Sequence, residues 1–166
     1  MPSIAIHAIG GRSIDQTISV LESLDHELAQ SSYIRMEHAQ LIDLPMALRA
    51  KDLGIVLSMQ PNFTSDSVHY ADRLDEAHLR TNNPFRMLID EAGFEPGRDL
   101  IFGSDGMPHG VEYALTQALF PAFESQRVSL DEFRAAYCLE ESAGSVDIEV
   151  DHAAKTVRLV NRIPRN

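Results

Sequence analysis

The sequence predicts an α/β fold of about four parallel βα units followed by a C-terminal β-hairpin. Three observations carry this prediction. Apolar, β-branched runs alternate with stretches of helical periodicity up to about residue 142. Three of those runs end in a polar residue: Ile4-Ala5-Ile6-His7-Ala8-Ile9-Gly10, Arg35-Met36-Glu37-His38-Ala39-Gln40 and Phe102-Gly103-Ser104-Asp105. The tail then changes to two β-branched runs of a different kind. Strands separated by helices pair in parallel through right-handed crossovers. Four such units are half of an eight-stranded (β/α)8 barrel.

Each element has a local reason. Residues 3–9 form a buried strand, broken at Gly10-Gly11. Ser13 and Gln16 have capping-box spacing, and Ile14, Ile18, Leu21, Leu24 and Leu28 continue as one helical stripe. Residues 33–38 are the second strand. Asp43-Leu44-Pro45 opens the next helix and Leu53-Gly54 closes it. Ile55 to Gln60 is the third strand, stopped by Pro61. Residues 61–82 are polar and lack periodicity, the mark of a functional lid or disorder. A short helix over 84–92 ends at Gly93, and Leu100-Ile101-Phe102 is the fourth strand. Residues 111–120 are helical up to Pro121. Ser129-Leu130-Asp131-Glu132 is a capping box that opens a helix to about 142. Val146 to Val150 and Thr156 to Val160 read as a hairpin around Asp151 to Lys155. The division is residues 1-142 for the partial barrel and 143-166 for the hairpin tail.

Bulk properties exclude some partners. At 166 residues the chain is one domain by length and can bury a core. Lys+Arg number 14 against Asp+Glu 25, a formal net charge of -11, which argues against nucleic acid and anionic membranes. The lone Cys138 forms no internal disulfide, which fits a reducing compartment. No secretory signal and no run of transmembrane length is visible. The expected location is cytoplasmic.

Parallel sheets and barrels place ligands and reacting groups at the carboxyl ends of their strands. Two imidazoles and a carboxylate delivered there, from His7, His38 and Asp105, form a candidate metal site. That makes a metal-dependent hydrolase readable from the residues.

In order along the chain, Ile6-His7-Ala8-Ile9-Gly10, Arg35-x-Glu37-His38-Ala39-Gln40, Ser58-Met59-Gln60-Pro61 and Phe102-Gly103-Ser104-Asp105 resemble the second half of the barrel in the amidohydrolase superfamily. The resemblance is to amidohydrolase family 3, the group that includes N-substituted formamide deformylase-like proteins. Ala71-Asp72-Arg73-Leu74 and Phe85-Arg86-Met87-Leu88-Ile89-Asp90 resemble that group's connecting segments. It covers roughly residues 3–140 and implies the C-terminal half of a TIM-type barrel. It implies a one- or two-metal centre, zinc foremost, with His7 and His38 as the ligands of strands five and six. Asp105 would be the strand-eight carboxylate, which binds metal and takes a proton from the attacking water. Several features of the family pattern are missing. There is no first-strand His-x-His pair and no bridging Lys or Glu. Gly11 stands where an Asp is usual, Asn62-Phe63 stands where a His often follows, and the closing Gly-Lys-x-Ala-Asp segment is absent.

Plainer readings stand beside these. His7 could be a hydrogen-bonded core histidine. Strand alternation sets Glu37 and His38 on opposite faces, so the expectation is His38 inward and Glu37 toward the helices, with Arg35 and Glu37 as a structural ion pair. Asp105 could be an N-cap for the following helix. Gln60 either contacts substrate or satisfies backbone groups, and His109 is a second candidate contact or a surface side chain. His69, His78 and Asp66 read as solvated, His26 and His152 as surface, and Cys138 as a buried small hydrophobe. Gly10-Gly11 lacks the fingerprint of a phosphate loop.

Two classes of function follow. The first is a metal-dependent amidohydrolase that cleaves a non-peptide C–N bond in a small-molecule amide, completed by a homo-oligomer or by a missing N-terminal half. The second is a truncated or degenerate half-barrel without catalysis, acting as an interaction module or oligomerising fragment. A flavodoxin-like open sheet with a small molecule at its switch point is a weaker third.

Overall fold

Strands β1 (Ser3–Ala8), β2 (Tyr33–His38), β3 (Val56–Met59) and β4 (Leu100–Phe102) form one parallel sheet in the order β1-β2-β3-β4. The structure is a computed structural model that describes residues 3–24, 33–106, 110–138 and 144–164. Each strand pairs with the next in sequence, so the order never reverses. A doubly wound sheet binds its ligand where the order reverses. The flavodoxin-like alternative therefore loses its switch point.

Register explains which residues are buried. His7 pairs with Glu37, Glu37 with Ser58 and Ser58 with Ile101, so these four share one face. Met36, Leu57 and Leu100 form the adjacent row on the other face and are almost fully buried. That second face packs under helices α1 (Gly11–Glu22) and α2 (Leu44–Asp52), through Ile14, Ile18, Ala47 and Ala50. Phe85, Phe102 and Phe133 continue the core, with ring centroids 5.1 and 6.1 Å apart in sequence. Burial of such rings is the largest apolar contribution per residue.

The expected boundaries hold at several places and move at others. Asp43 caps α2 by accepting from the Met46 amide at 2.9 Å, with Pro45 in the first turn. The Ser13–Gln16 capping box does not form. Helix α1 starts earlier, at Gly11, and the Ser13 hydroxyl instead donates to the Gly10 carbonyl at 2.8 Å. Leu24 is exposed, while Ile14, Ile18 and Leu21 are buried; Leu28 and His26 lie outside the described residues. The stretch 61–82 is structured. A 3-10 turn (Pro61–Ser65) leads into short helices α3 (Asp66–His69) and α4 (Glu76–Thr81). Side chains rather than an apolar stripe hold it, which is why periodicity gave no signal. Residues Met87–Glu91 form a π-turn, with the Ala92 amide donating to the Met87 carbonyl five residues back.

Helix α5 (Val111–Leu119) stops before Pro121, and α6 (Leu130–Tyr137) carries the predicted capping box. In it Ser129 Oγ accepts from the Glu132 amide and Glu132 Oε2 from the Ser129 amide. Described helix ends at Tyr137, and residues 139–143, with the expected boundary at 142, lie outside the described residues. Cys138 is exposed, not buried, because it follows the last turn of α6. The antiparallel hairpin β5 (Gly144–Asp151) and β6 (Thr156–Pro164) follows. Asp151 Oδ1 accepts from the Ala153 and Ala154 amides and closes its turn. Ile148, Val150 and Val157 pack against the core, and the Leu159 amide donates to Glu112 of α5. His152 stands at the surface, edge-on to Phe120.

Candidate functional site

The carboxyl ends of all four strands deliver residues to one open cleft of about 430 Å³. Its lining is His7 and Ile9 from the end of β1, His38 and Gln40 from β2, Phe63 and Asp66 after β3, and Asp105 after β4. The His7 and His38 rings meet edge to face with centroids 4.5 Å apart. His38 Nε2 lies 4.0 Å from Asp105 Oδ2. The structure thus brings the three predicted residues to one place.

Backbone conformation makes this possible. His38 and Ala39 have φ of 73° and 47°, and Asp105 has φ of 50°. Left-handed backbone at non-glycine residues costs of order 1–3 kcal/mol each and persists where surrounding contacts over-determine it. Here the Ala39 amide donates to the Ala8 carbonyl at 2.9 Å and the Leu41 amide to the Ile9 carbonyl at 3.0 Å. The turn at His38 breaks strand alternation, so both Glu37 and His38 leave the helix-covered face. The expectation that Glu37 faces the helices is therefore corrected. Glu37 pairs with Arg35 on the face it shares with His7.

Gln60 sets the orientation of His38. Its Nε2 donates to the Ser58 carbonyl at 3.2 Å, which identifies the other end of the amide as oxygen. That Oε1 lies 2.9 Å from His38 Nδ1. An amide oxygen only accepts, so Nδ1 carries the proton and the Nε2 lone pair faces Asp105 and the cleft. Gln60 is buried and holds the imidazole instead of reaching the cleft lining.

Asp105 is not an N-cap. Helix α5 starts at Val111 behind Gly110, and the Asp105 side chain is about half exposed (52%). The backbone beside it is braced by Asn62, whose Nδ2 donates to the Ser104 carbonyl at 2.8 Å. Asn62-Phe63 stands where the resembled family pattern often carries a His, and here the Asn62 side chain ties the end of β3 to the loop after β4. Asp66, expected to be solvated, lines the cleft and accepts from Gln40 Nε2 at 2.8 Å. Burial pushes its carboxyl pKa up, more than the Gln40 hydrogen bond and His69 pull it down. Gln40 and Asp66 were missed as site residues because one sits on an aperiodic stretch and their contact spans 26 positions. His78 is held by Asp75 on α4, away from the cleft lining, and His109 lies outside the described residues.

The donors suit a divalent metal by type: two imidazoles, one with its tautomer held by a second residue, and a carboxylate. Among the described residues, however, no three His, Cys, Asp or Glu side chains converge closely enough to hold an ion. The arrangement has the chemistry of a metal site and part of its geometry.

Comparison with known proteins decides the family. The sequence model of the amidohydrolase family matches residues 2–119. The chain belongs to the amidohydrolase family. This amidohydrolase-family chain is 30% identical over 89 residues to YtcJ of Bacillus subtilis (strain 168), an amidohydrolase by name. That alignment takes in 53% of this chain and 16% of YtcJ. Two solved structures share the fold. One is an uncharacterized metal-dependent hydrolase from Pyrococcus furiosus, at 22% identity and TM-score 0.65, covering 81% of this chain and 27% of that one. The other is an uncharacterized metal-dependent hydrolase from Pyrococcus horikoshii OT3, at 26% identity and TM-score 0.55, covering 70% and 22%. The chain therefore spans about a quarter or less of the relatives it matches. No described helix is long and apolar enough to cross a membrane.

Proposed function

We propose that this chain is the site-bearing C-terminal half of a TIM-type barrel in a metal-dependent amidohydrolase, which hydrolyses a non-peptide C–N bond in a small-molecule amide. The observation that carries the reading is the triad at the strand ends, with His38 Nδ1 held by Gln60 and Nε2 aimed at Asp105. His7, His38 and Asp105 would hold the metal, zinc by the preference of imidazole ligands. When bound, the metal supplies Lewis acidity toward the attacking water and the scissile carbonyl.

The protein's part is positioning and proton transfer. Gln60 keeps the His38 lone pair available by occupying the opposite nitrogen. Asp105, half exposed at the cleft, takes a proton from the attacking water and returns it to the leaving amine. His7 supplies the second imidazole from β1. The sequential strand order supports the half-barrel, because four more strands in the same sense would close the sheet. A second half, from another chain or a second copy, would complete it.

Equilibrating the purified chain with zinc or manganese, then measuring retained metal and hydrolysis of N-formyl, N-acyl and cyclic amides, tests this. Retained metal that is lost in His38→Ala and Asp105→Ala is the expected result. No retained metal and no hydrolysis would overturn the reading for the isolated chain.

One observation favours a second reading. The described residues provide no converging three-ligand group, which fits a degenerate half-barrel acting as an interaction module or oligomerising fragment. Such a module would self-associate without metal uptake, which sedimentation and metal analysis would report together.

A further inference from the structure

A second cavity, about 280 Å³, opens beside the cleft and shares Ile9, Gln40 and Asp66 with it. Leu41, Tyr70, Arg73 and Leu74 complete its walls, and the surface it presents is almost wholly apolar. The side chains with polar ends have those ends engaged. Gln40 Nε2 donates to Asp66 Oδ2 at 2.8 Å, and the Arg73 guanidinium carbon lies over the Tyr70 ring, 5.3 Å from its centroid. Their hydrocarbon stems therefore add to the apolar lining. Ile9 and Tyr70 remain 38% and 43% exposed among the described residues. The cleft itself differs in kind, because His7, His38 and Asp105 line it. Since the two cavities share a wall, one molecule can set its polar centre at the triad and an apolar part in the annex. Water against apolar walls finds few hydrogen-bond partners, so an apolar group gains by displacing it. A charged group would give up its hydration there without a partner.

We propose that this annex is a specificity subsite that takes a compact, uncharged apolar substituent of the bound amide, packed on Ile9, Leu41, Tyr70 and Leu74. The inference rests on the amidohydrolase reading above and names its substrate class: a neutral amide with an apolar side group. Annex volume is at the small end for ligand pockets, which run to about 300–1,000 Å³, so a short branched chain or a single ring fits better than a long chain. Each methylene moved from water into the annex should tighten binding about fourfold. Asp66 on the shared wall adds to the selection, because its carboxylate repels an anionic substituent.

Titration of the full 166-residue chain in metal-free buffer, followed by methyl-resolved NMR, tests the annex without requiring turnover. The probes share one amide frame: N-acetylglycinamide, N-acetylleucinamide, and the charged N-acetylglutamic acid α-amide and N-acetyllysinamide. The leucine probe should bind at least about tenfold more tightly than the glycine probe and than either charged probe. It should also shift the methyl resonances of Ile9, Leu41 and Leu74. Leu74→Asp, which sets a charge among the walls, should remove the leucine probe's advantage. Equal affinity for the leucine and glycine probes, tighter binding of a charged probe, or no saturable binding of any probe would each overturn the proposal. So would saturable binding that leaves those methyl resonances unmoved, or an unchanged advantage in a folded Leu74→Asp. Should Leu74→Asp fail to fold, Leu74→Ala should lose part of the advantage, and an unchanged advantage there overturns the proposal equally. Because no metal is added, a failure of metal uptake leaves these affinities readable by themselves, and retained metal beside equal affinities would sink the annex alone.

Discussion

His38 Nδ1 donates to Gln60 Oε1 across 2.9 Å, joining the end of β2 to the end of β3. Both side chains are buried. Gln60→Ala removes the acceptor and leaves an imidazole N–H unpaired, at a cost of about 1–3 kcal/mol. It also frees the ring to rotate. Loss of an orienting partner of this kind weakens metal affinity about 10–100-fold. Urea unfolding and competitive zinc titration of the variant measure the two effects separately, and an unchanged zinc affinity would remove Gln60 from the site.

Asp66 predicts a pH-dependent stability difference. Burial raises its pKa in the folded chain, so the folded state holds the proton more tightly than the unfolded one. Its stabilising contribution is then fully present below the ordinary aspartate value of about 3.9 and is lost as pH rises through the raised folded value. At neutral pH the ionised carboxylate is a net cost. Asp66→Asn keeps an oxygen for Gln40 without the charge. It should melt above the wild type at pH 7, with the gap closing as pH falls below about 4. Thermal melts across pH 3–8 check the sign.

A buried polar network holds residues 61–82 in place. Gln126 Nε2 donates to Ser67 Oγ and to the Asn82 carbonyl, both at 2.8 Å, and Asn82 Nδ2 donates to the Phe63 carbonyl at 3.2 Å. Gln126→Ala strips the donor from two buried acceptors and should destabilise by about 2–4 kcal/mol. Its denaturation midpoint should fall, and the amides of 61–82 should gain hydrogen exchange before those of the sheet.

Gly97 lies against α6 with φ of +87°. A Cβ there would sit 2.5 Å from the Ala135 carbonyl oxygen, which is backbone and cannot rotate away. Left-handed strain and this overlap act together, so Gly97→Ala should cost more than about 2 kcal/mol. A variant as stable as the wild type in urea would mean that α6 can shift.

Local chemistry in the sequence determined the four strands, the Asp43 and Ser129 caps, the hairpin and the His7–His38–Asp105 trio. Each of these depends on neighbours within a few positions: β-branched runs, a capping oxygen three residues from its amide, a polar residue where a strand stops. Tertiary structure decided the rest. Alternation alone sends Glu37 and His38 to opposite faces, whereas tertiary hydrogen bonds, among them those from the Ala39 and Leu41 amides to the Ala8 and Ile9 carbonyls, hold the left-handed turn that brings His38 into the cleft. Gln60 reaches His38 across 22 positions and Asp66 reaches Gln40 across 26. No periodicity encodes such contacts, because they form only when strand ends packed side by side place distant side chains within hydrogen-bond range.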